Sequence, residues 1–383
     1  MQGPVIHVVP ALFGWESVFG GAERYALELA RHMAKRVPTR LLAFGARPAD
    51  MRVGSLEIRV LRNWFPHRRF RFDPFGPSLL RELSGAGVVH VHQQETMMSS
   101  LALLHAKVSG GRIFASHLGG SGFGLQKIVD VNRLFDGHLH ISDFSRRHFG
   151  HAGMSRARTI WGGADLDVFG PSIEARRRRG AVFVGRLLPH KGVNYLIEAM
   201  DPDIPLTIVG RRWRHAARFD ELLAKLANGK DIRFVEGAHM ASAGWSPAAE
   251  DTQLAGVLQE SMCIVLPSVH TTVFGEHHEI PELLGLVILE GMACGTPAIV
   301  TDVCSLPELV IDGVTGFIVP PNDSAAIRSK LRWFRDHPDE ARRMGEAARQ
   351  RVLDLFTWDR VVDRCLDAYS EVFRVDRSKA SSL

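Results

Sequence analysis

Cysteine is scarce, with four in 383 residues, and Cys263, Cys294, Cys304 and Cys365 show none of the short paired spacings of a zinc site. Three of them sit in strongly apolar segments, so they read as reduced, mostly buried thiols. Long apolar runs are also missing. No stretch reaches the roughly 18–20 residues needed to cross a bilayer. The first residues show no basic leader followed by an apolar core, so the expectation is a cytoplasmic protein. The Gly-x-Gly-x-x-Gly fingerprint is absent after the first strand, which argues against a nicotinamide-dependent dehydrogenase. No nucleic-acid recognition motif accompanies the basic residues, and there is no low-complexity tract.

What remains is an ordinary globular composition, 45% hydrophobic and 23% charged, on a chain long enough for two domains. A net charge of +5 favours anionic partners without choosing among nucleotides, nucleic acid and anionic lipid. Two local clusters stand out. Arg176 to Arg179 follow Pro171 and read as an exposed linker face. The stretch from Arg62 to Phe72 interleaves Trp64, Phe65, Phe70 and Phe72 with Arg68, Arg69 and Arg71. That pattern suits peripheral contact with an anionic membrane or capture of a soluble acceptor.

Short β-branched runs alternate with amphipathic patterns from end to end, the signature of parallel α/β sheets. Strands are predicted at Val5–Val9, Thr39–Ala43, Val88–Val91, Arg112–Ala115 and Gly137–Ile141, with helices over Ala22–Lys35, Pro77–Leu83, Ser99–Ser109 and Phe144–Gly150. The pattern breaks at Trp161-Gly162-Gly163 and restarts at Ala181–Val184, Leu206–Val209, Ile232–Val235, Cys263–Leu266, Ala298–Val300 and Gly316–Val319. Two doubly wound domains are expected, over 1–165 and 166–355, with a C-terminal helix in 356–383.

The chemistry concentrates in Glu282-Leu-Leu284-Gly285-Leu286-Val-Ile-Leu-Glu290, which runs into Gly-Met-Ala-Cys294-Gly295-Thr-Pro297. Two carboxylates stand eight residues apart, and Glu290 falls in the first turns of a predicted helix on an otherwise apolar face. A carboxylate there is costly unless a polar group reaches it. Sugar hydroxyls suit, because an ionised carboxylate accepts two hydrogen bonds from a vicinal diol. Upstream, Gly185-Arg186-Leu-Leu-Pro189-His190-Lys191-Gly192 closes the first strand of the second half. Two cations at that end of a doubly wound sheet suit a diphosphate. Gly20-Gly21 precede the first helix, where backbone N–H groups and the helix dipole favour an anion.

These segments resemble the Glu-x7-Glu and Gly-Arg…Lys-Gly signatures of retaining, nucleotide-sugar-dependent glycosyltransferases of family 4 (GT4), although Arg186 and Lys191 stand one residue closer than usual. The resemblance implies the GT-B fold, two Rossmann-like domains facing across a cleft, with the last helix crossing back to the first domain. It implies an acceptor domain first and a donor domain second. The activity implied is transfer of a hexose-type sugar from a UDP- or GDP-sugar to an acceptor hydroxyl. No metal and no bound cofactor are required, the nucleotide-diphosphate sugar being a co-substrate. An epimerase or phosphorylase on the same scaffold is the alternative, but no lysine candidate for a pyridoxal group is apparent.

Carried onto this chain, the resemblance gives His117, Arg186, Lys191 and Glu282 the catalytic positions. Gly20, Gly21, Arg186, Lys191, Leu284, Gly285, Leu286 and Glu290 become donor contacts. The acceptor is a sugar, a lipid-linked molecule or a small molecule, with no role for nucleic acid. His90 and His92 are expected to line the interdomain surface, with Gln93 and Gln94 toward acceptor. Two departures are visible. Cys304-Ser305 replace the family's Gly-Gly ahead of Pro307-Glu308, and Val269–Pro281 is inserted before Glu282. His270, His277 and His278 lack metal-ligand spacing, so this loop reads as a wall for donor-sugar specificity.

Overall fold

Four-residue runs of apolar, mostly β-branched side chains form most of the strands, because a parallel strand is buried on both faces and needs no polar alternation. The computed structural model describes residues 3–10, 21–64, 73–119, 122–172, 178–210, 217–235 and 247–380. It divides into two units, Met1–Gly162 with Trp358–Leu383, and Gly163–Thr357. The division lies between Gly162 and Gly163, beside the Trp161-Gly162-Gly163 break in the sequence pattern.

In the first unit β1 (Val5–Val8) leads to α1 (Gly21–Ala34), β2 (Thr39–Gly45), β3 (Ala49–Val53), β4 (Leu56–Arg62) and α2 (Ser78–Leu83). Next come β5 (Val88–Val91), α3 (Met97–Ser109), β6 (Ile113–Ala115), β7 (Gly137–His140), α4 (Asp143–His148) and β8 (Ala157–Thr159). The sheet order is β3-β4-β2-β1-β5-β6-β7-β8. All pairings are parallel except β3 with β4. Those two strands and β8 were not expected from the sequence. β3 is exposed along nearly its whole length, so a polar edge strand carries no apolar pattern to read. β8 is only Ala-Arg-Thr.

The second unit runs β9 (Ala181–Val184), α5 (Val193–Ala199), β10 (Leu206–Val209), α6 (Ala217–Ala227), β11 (Ile232–Val235), α7 (Pro247–Glu260) and β12 (Cys263–Leu266). It continues with α8 (Leu286–Ala293), β13 (Ala298–Thr301), α9 (Leu306–Leu309), β14 (Gly316–Val319), α10 (Ser324–Asp336) and α11 (Pro338–Leu355). Its sheet is ordered β11-β10-β9-β12-β13-β14 and is wholly parallel. Arg178 is not an exposed linker residue. Its half-buried guanidinium donates to the carbonyls of Cys294 (2.8 Å) and Ser261 (3.4 Å) and to Thr296 Oγ1, tying the strand approach to α8.

The last helix, α12 (Trp358–Ala380), belongs to the first unit. Val361, Cys365, Ala368, Tyr369 and Val372 recur at helical spacing and are buried. Trp358 packs edge-on against Tyr25 of α1 (5.3 Å) and stacks on His32 (6.1 Å). Tyr369 rests on Phe114 (4.8 Å).

The expectation that His90 and His92 line a surface is corrected: both are wholly buried within the first unit, as is His7. A central parallel strand is covered on both faces, so alternation along it does not lead outward. Gln94 is likewise buried, donating to Asn132 Oδ1 (2.5 Å) rather than facing outward. His7 Nδ1 lies 2.8 Å from His92 Nε2, and His90 bonds Ser116 Oγ (2.8 Å) and the Tyr369 hydroxyl (2.7 Å). Burial pushes His7 down to about 3 and drives His90 and His92 well below the usual imidazole range. All three stay neutral in the folded protein while the unfolded chain protonates near pH 6.5. Stability is therefore full above pH 6.5 and is lost as pH falls from there toward 3, by about 1.4 kcal/mol per pH unit for each histidine. Urea unfolding of the first unit should show this loss between pH 6.5 and 5, with a shallower slope in His7→Phe. Equal slopes in the two proteins would contradict the assignment.

Candidate functional site

In the second unit the strand order reverses between β9 and β12, so their C-terminal ends diverge and leave room where doubly wound sheets bind ligands. The loops after these two strands carry the candidate residues. Arg186, two residues past β9, is exposed, and its guanidinium has no hydrogen-bond or ion-pair partner among the described residues. A single turn, Pro189–Lys191, then leads to Gly192 at φ 67°. A Cβ on Gly192 would sit 1.9 Å from the Pro267 carbonyl oxygen, so only glycine lets the β9 loop abut the end of β12. The contact is sealed by Val269 N donating to His190 O (2.9 Å).

That abutment puts Lys191 against the segment after β12. Its Nζ donates to Glu282 Oε2 (2.7 Å) and to the Pro281 carbonyl (2.9 Å), with both side chains largely buried. Beyond Glu282, Leu284 is buried and Gly285, at φ 87°, opens α8 with Leu286 as its first residue. A Cβ at Gly285 would crowd Leu306 at 3.0 Å. Glu290 lies one turn into α8 and is buried among Ile288, Leu289 and Met292. The fold thus brings Lys191, Glu282 and the N-terminus of α8 together. Arg186 stands on the same β9 loop.

The insertion before Glu282 is a short hairpin. Thr271 bridges His277 antiparallel, His278 N donates to His270 O (2.7 Å), and Gly275 N donates to Thr272 O (2.9 Å). Its outer face is pinned by Phe274 beneath Arg218 (4.2 Å) and by Asn322 Nδ2 on the Thr271 carbonyl (2.9 Å). His278 on the hairpin lies against His190, with ring centres 4.6 Å apart and planes tilted by 44°. Burial, then Lys191, holds His190 down at about 3, so this ring is neutral beside the Lys191 cation.

His117 and Gly21 belong to the first unit. Gly21 begins α1, and Gly20 lies outside the described residues, as do Phe65–Phe72 of the basic aromatic stretch. His117, past β6, is nearly buried, stacked on Phe149 (3.8 Å), with Gly119 N donating to its Nδ1 (3.4 Å). That bond leaves the proton on Nε2, 3.9 Å from Glu95 Oε1. His117, then Lys127 at 2.6 Å, holds the Glu95 carboxyl at about 2. Glu95 was not singled out from the sequence, though its place just after β5 was a usable signal. Cys304 and His190 were also missed as contacts, because their partners are remote in sequence.

Residues 172–351 match the family model described as glycosyl transferases group 1, and residues 19–168 match that of Glycosyltransferase Family 4. The chain is 30% identical to the D-inositol 3-phosphate glycosyltransferase of Geodermatophilus obscurus over 64% of its own length and 54% of the relative's. It is 31% identical to the D-rhamnosyltransferase WbpZ of Pseudomonas aeruginosa over 46% of this chain and 41% of the relative. The chain spans about half the length of the curated relatives it matches. Among solved structures, Anabaena HepE in complex with UDP and glucose superposes with a TM-score of 0.74 at 15% identity, covering 97% of this chain and 100% of that one. Sucrose-phosphate synthase from Thermosynechococcus elongatus gives 0.72 at 19% identity, covering 98% and 100%. These likenesses show the fold, which is GT-B.

Gly192→Ala tests the abutment on which the site rests. It should cost the second unit about 3 kcal/mol in denaturant unfolding, through both the positive φ and the clash with Pro267 O. A loss below about 1 kcal/mol would show that the two loops are not so tightly joined.

Proposed function

The chain belongs to the GT4-type glycosyltransferases, and on that footing we propose that it moves a hexose-type sugar from a UDP- or GDP-sugar to an acceptor hydroxyl, with retention of anomeric configuration. The observation that carries this reading is the Lys191–Glu282 contact of 2.7 Å at the β9/β12 switch point, beside the exposed Arg186. A diphosphate approaching that end of the sheet meets Arg186 and the third donor of Lys191. Charge-assisted hydrogen bonds contribute about 1.5–3 kcal/mol each, and more weight falls on them as the leaving diphosphate gathers charge.

Glu282, held in place by Lys191, accepts hydrogen bonds from the sugar hydroxyls and fixes the ring. Glu290, one turn into α8, takes the ribose diol, since an ionised carboxylate accepts two hydrogen bonds from vicinal hydroxyls. With no carboxylate assigned as nucleophile, the acceptor hydroxyl attacks on the face from which the diphosphate departs. The departing phosphate oxygen takes the acceptor's proton. His117 serves hydrogen bonding near the reacting end of the sugar rather than as a general base. Support for a nucleotide donor comes from HepE, whose solved complexes contain UDP and UDP-glucose.

Incubation with a panel of UDP- and GDP-sugars and candidate acceptors tests the reading through free nucleotide release. A sugar-nucleotide epimerase would convert the donor without releasing nucleotide in the presence of acceptor. Arg186→Ala should lower kcat/KM by about 2–4 kcal/mol of transition-state stabilisation with an unchanged melting temperature; wild-type turnover in that variant refutes the role of Arg186. Because two cations already offset the diphosphate, excess chelator should leave turnover intact, and abolished turnover would call for a metal in its place.

A further inference from the structure

Resting on that reading of Glu282, we propose that Cys304 is a positioning residue for the reaction: its thiol clamps the Glu279–Glu282 turn and so aims the Glu282 carboxylate at the transferred sugar. The need for a clamp is plain from the backbone. Among the described residues, Glu279 to Leu284 make no backbone–backbone hydrogen bond, as donors or acceptors, although the hairpin before them and α8 after them are bonded. Pro281 has no N–H to offer. The turn that carries Glu282 therefore depends on side chains from elsewhere.

Two supply it. Lys191 Nζ takes the Pro281 carbonyl (2.9 Å) and the Glu282 carboxylate (2.7 Å). Cys304 Sγ donates to the Glu279 carbonyl (3.8 Å). Burial pushes this thiol up to about 11, so it keeps the proton that it donates to Glu279. The sulfur thus holds the Glu279 end of the turn, while Lys191 holds the Pro281–Glu282 end. His270 backs it: His270 Nδ1 is committed to the His278 carbonyl (3.0 Å), which leaves Nε2 facing Sγ at 4.0 Å.

Cys304 is held at φ 52°, a left-handed conformation in which an L side chain is strained and glycine is not. The family signature places glycine here. Keeping a strained cysteine where glycine fits better makes sense when the side chain itself is required, and such strain gathers at sites where geometry is enforced.

The test compares Cys304→Ser, Cys304→Ala and Cys304→Gly with the wild type, using UDP, GDP, UDP-glucose and GDP-mannose as probes. Serine can donate to the Glu279 carbonyl as the thiol does and should keep sugar-nucleotide KM within about threefold. Alanine and glycine should weaken sugar-nucleotide binding about tenfold, with the affinity for the free nucleotide unchanged. The glycine variant should melt no lower than wild type, since it relieves the backbone. Amide exchange at Glu282 and Leu283 should quicken about tenfold in the alanine variant. Unchanged exchange, or equal loss of nucleotide and sugar-nucleotide affinity, overturns the clamp while leaving the glycosyltransferase reading in place. Failure of the wild type to bind any of the four probes, with exchange quickened as expected, overturns the donor reading and the catalytic part of this proposal with it.

Discussion

The direct packing of the β9 loop on the end of β12 is the constraint from which the second unit's site follows. Two parallel strands that are neighbours in the sheet but far apart in sequence send their loops out at the switch point, and Gly192 lets those loops touch without an intervening side chain. Once they touch, Lys191 reaches Glu282 and the ammonium becomes part of the scaffold that holds the carboxylate. A cation placed this way serves two ends: it fixes the position of the carboxylate, and it leaves a donor for an incoming anion. The pair is largely shielded from water, so the attraction is less screened than on an open surface.

Much of the second unit was legible from one-dimensional pattern because its strands are buried on both faces. Among the described residues, all six of its strands lie at the sequence runs that announced them, and β13 extends one residue further. The two-faced burial that makes such strands easy to find also misleads. The Val-His-Val-His run reads as alternation, yet His90 and His92 are both interior. Polar edge strands such as β3 are hidden for the opposite reason, since nothing apolar marks them. At the site, spacing drew attention to Lys191 and Glu282 separately. Their contact required the glycine at 192 to meet the carbonyl of Pro267, which no local pattern encodes. The hairpin after β12 was visible only as extra length, and its pairing of Thr271 with His277 came from the fold.

The first unit shows a different economy. Its sheet centre holds three imidazoles where aliphatic residues would serve packing equally well, and each is tied to a neighbour: His7 to His92, His90 to Ser116 and Tyr369. Buried polar groups of this kind are tolerable only when bonded. They also link the sheet to α12, because the Tyr369 hydroxyl supplies one of the partners of His90.

That link has a consequence for biosynthesis. The first unit is discontinuous: its sheet is made early, but α12, which covers α1 and completes the hydrogen bonding of His90, is made after the whole of the second unit. During translation the α1 surface with Tyr25 and the core around Phe114 emerge without their cover, while the second unit, contiguous in sequence, has everything it needs to close first. The first unit therefore does not have all of its own residues when the second unit does, although N-terminal domains generally have theirs first. A nascent chain of this protein carries an unfinished half on the ribosome until α12 is released.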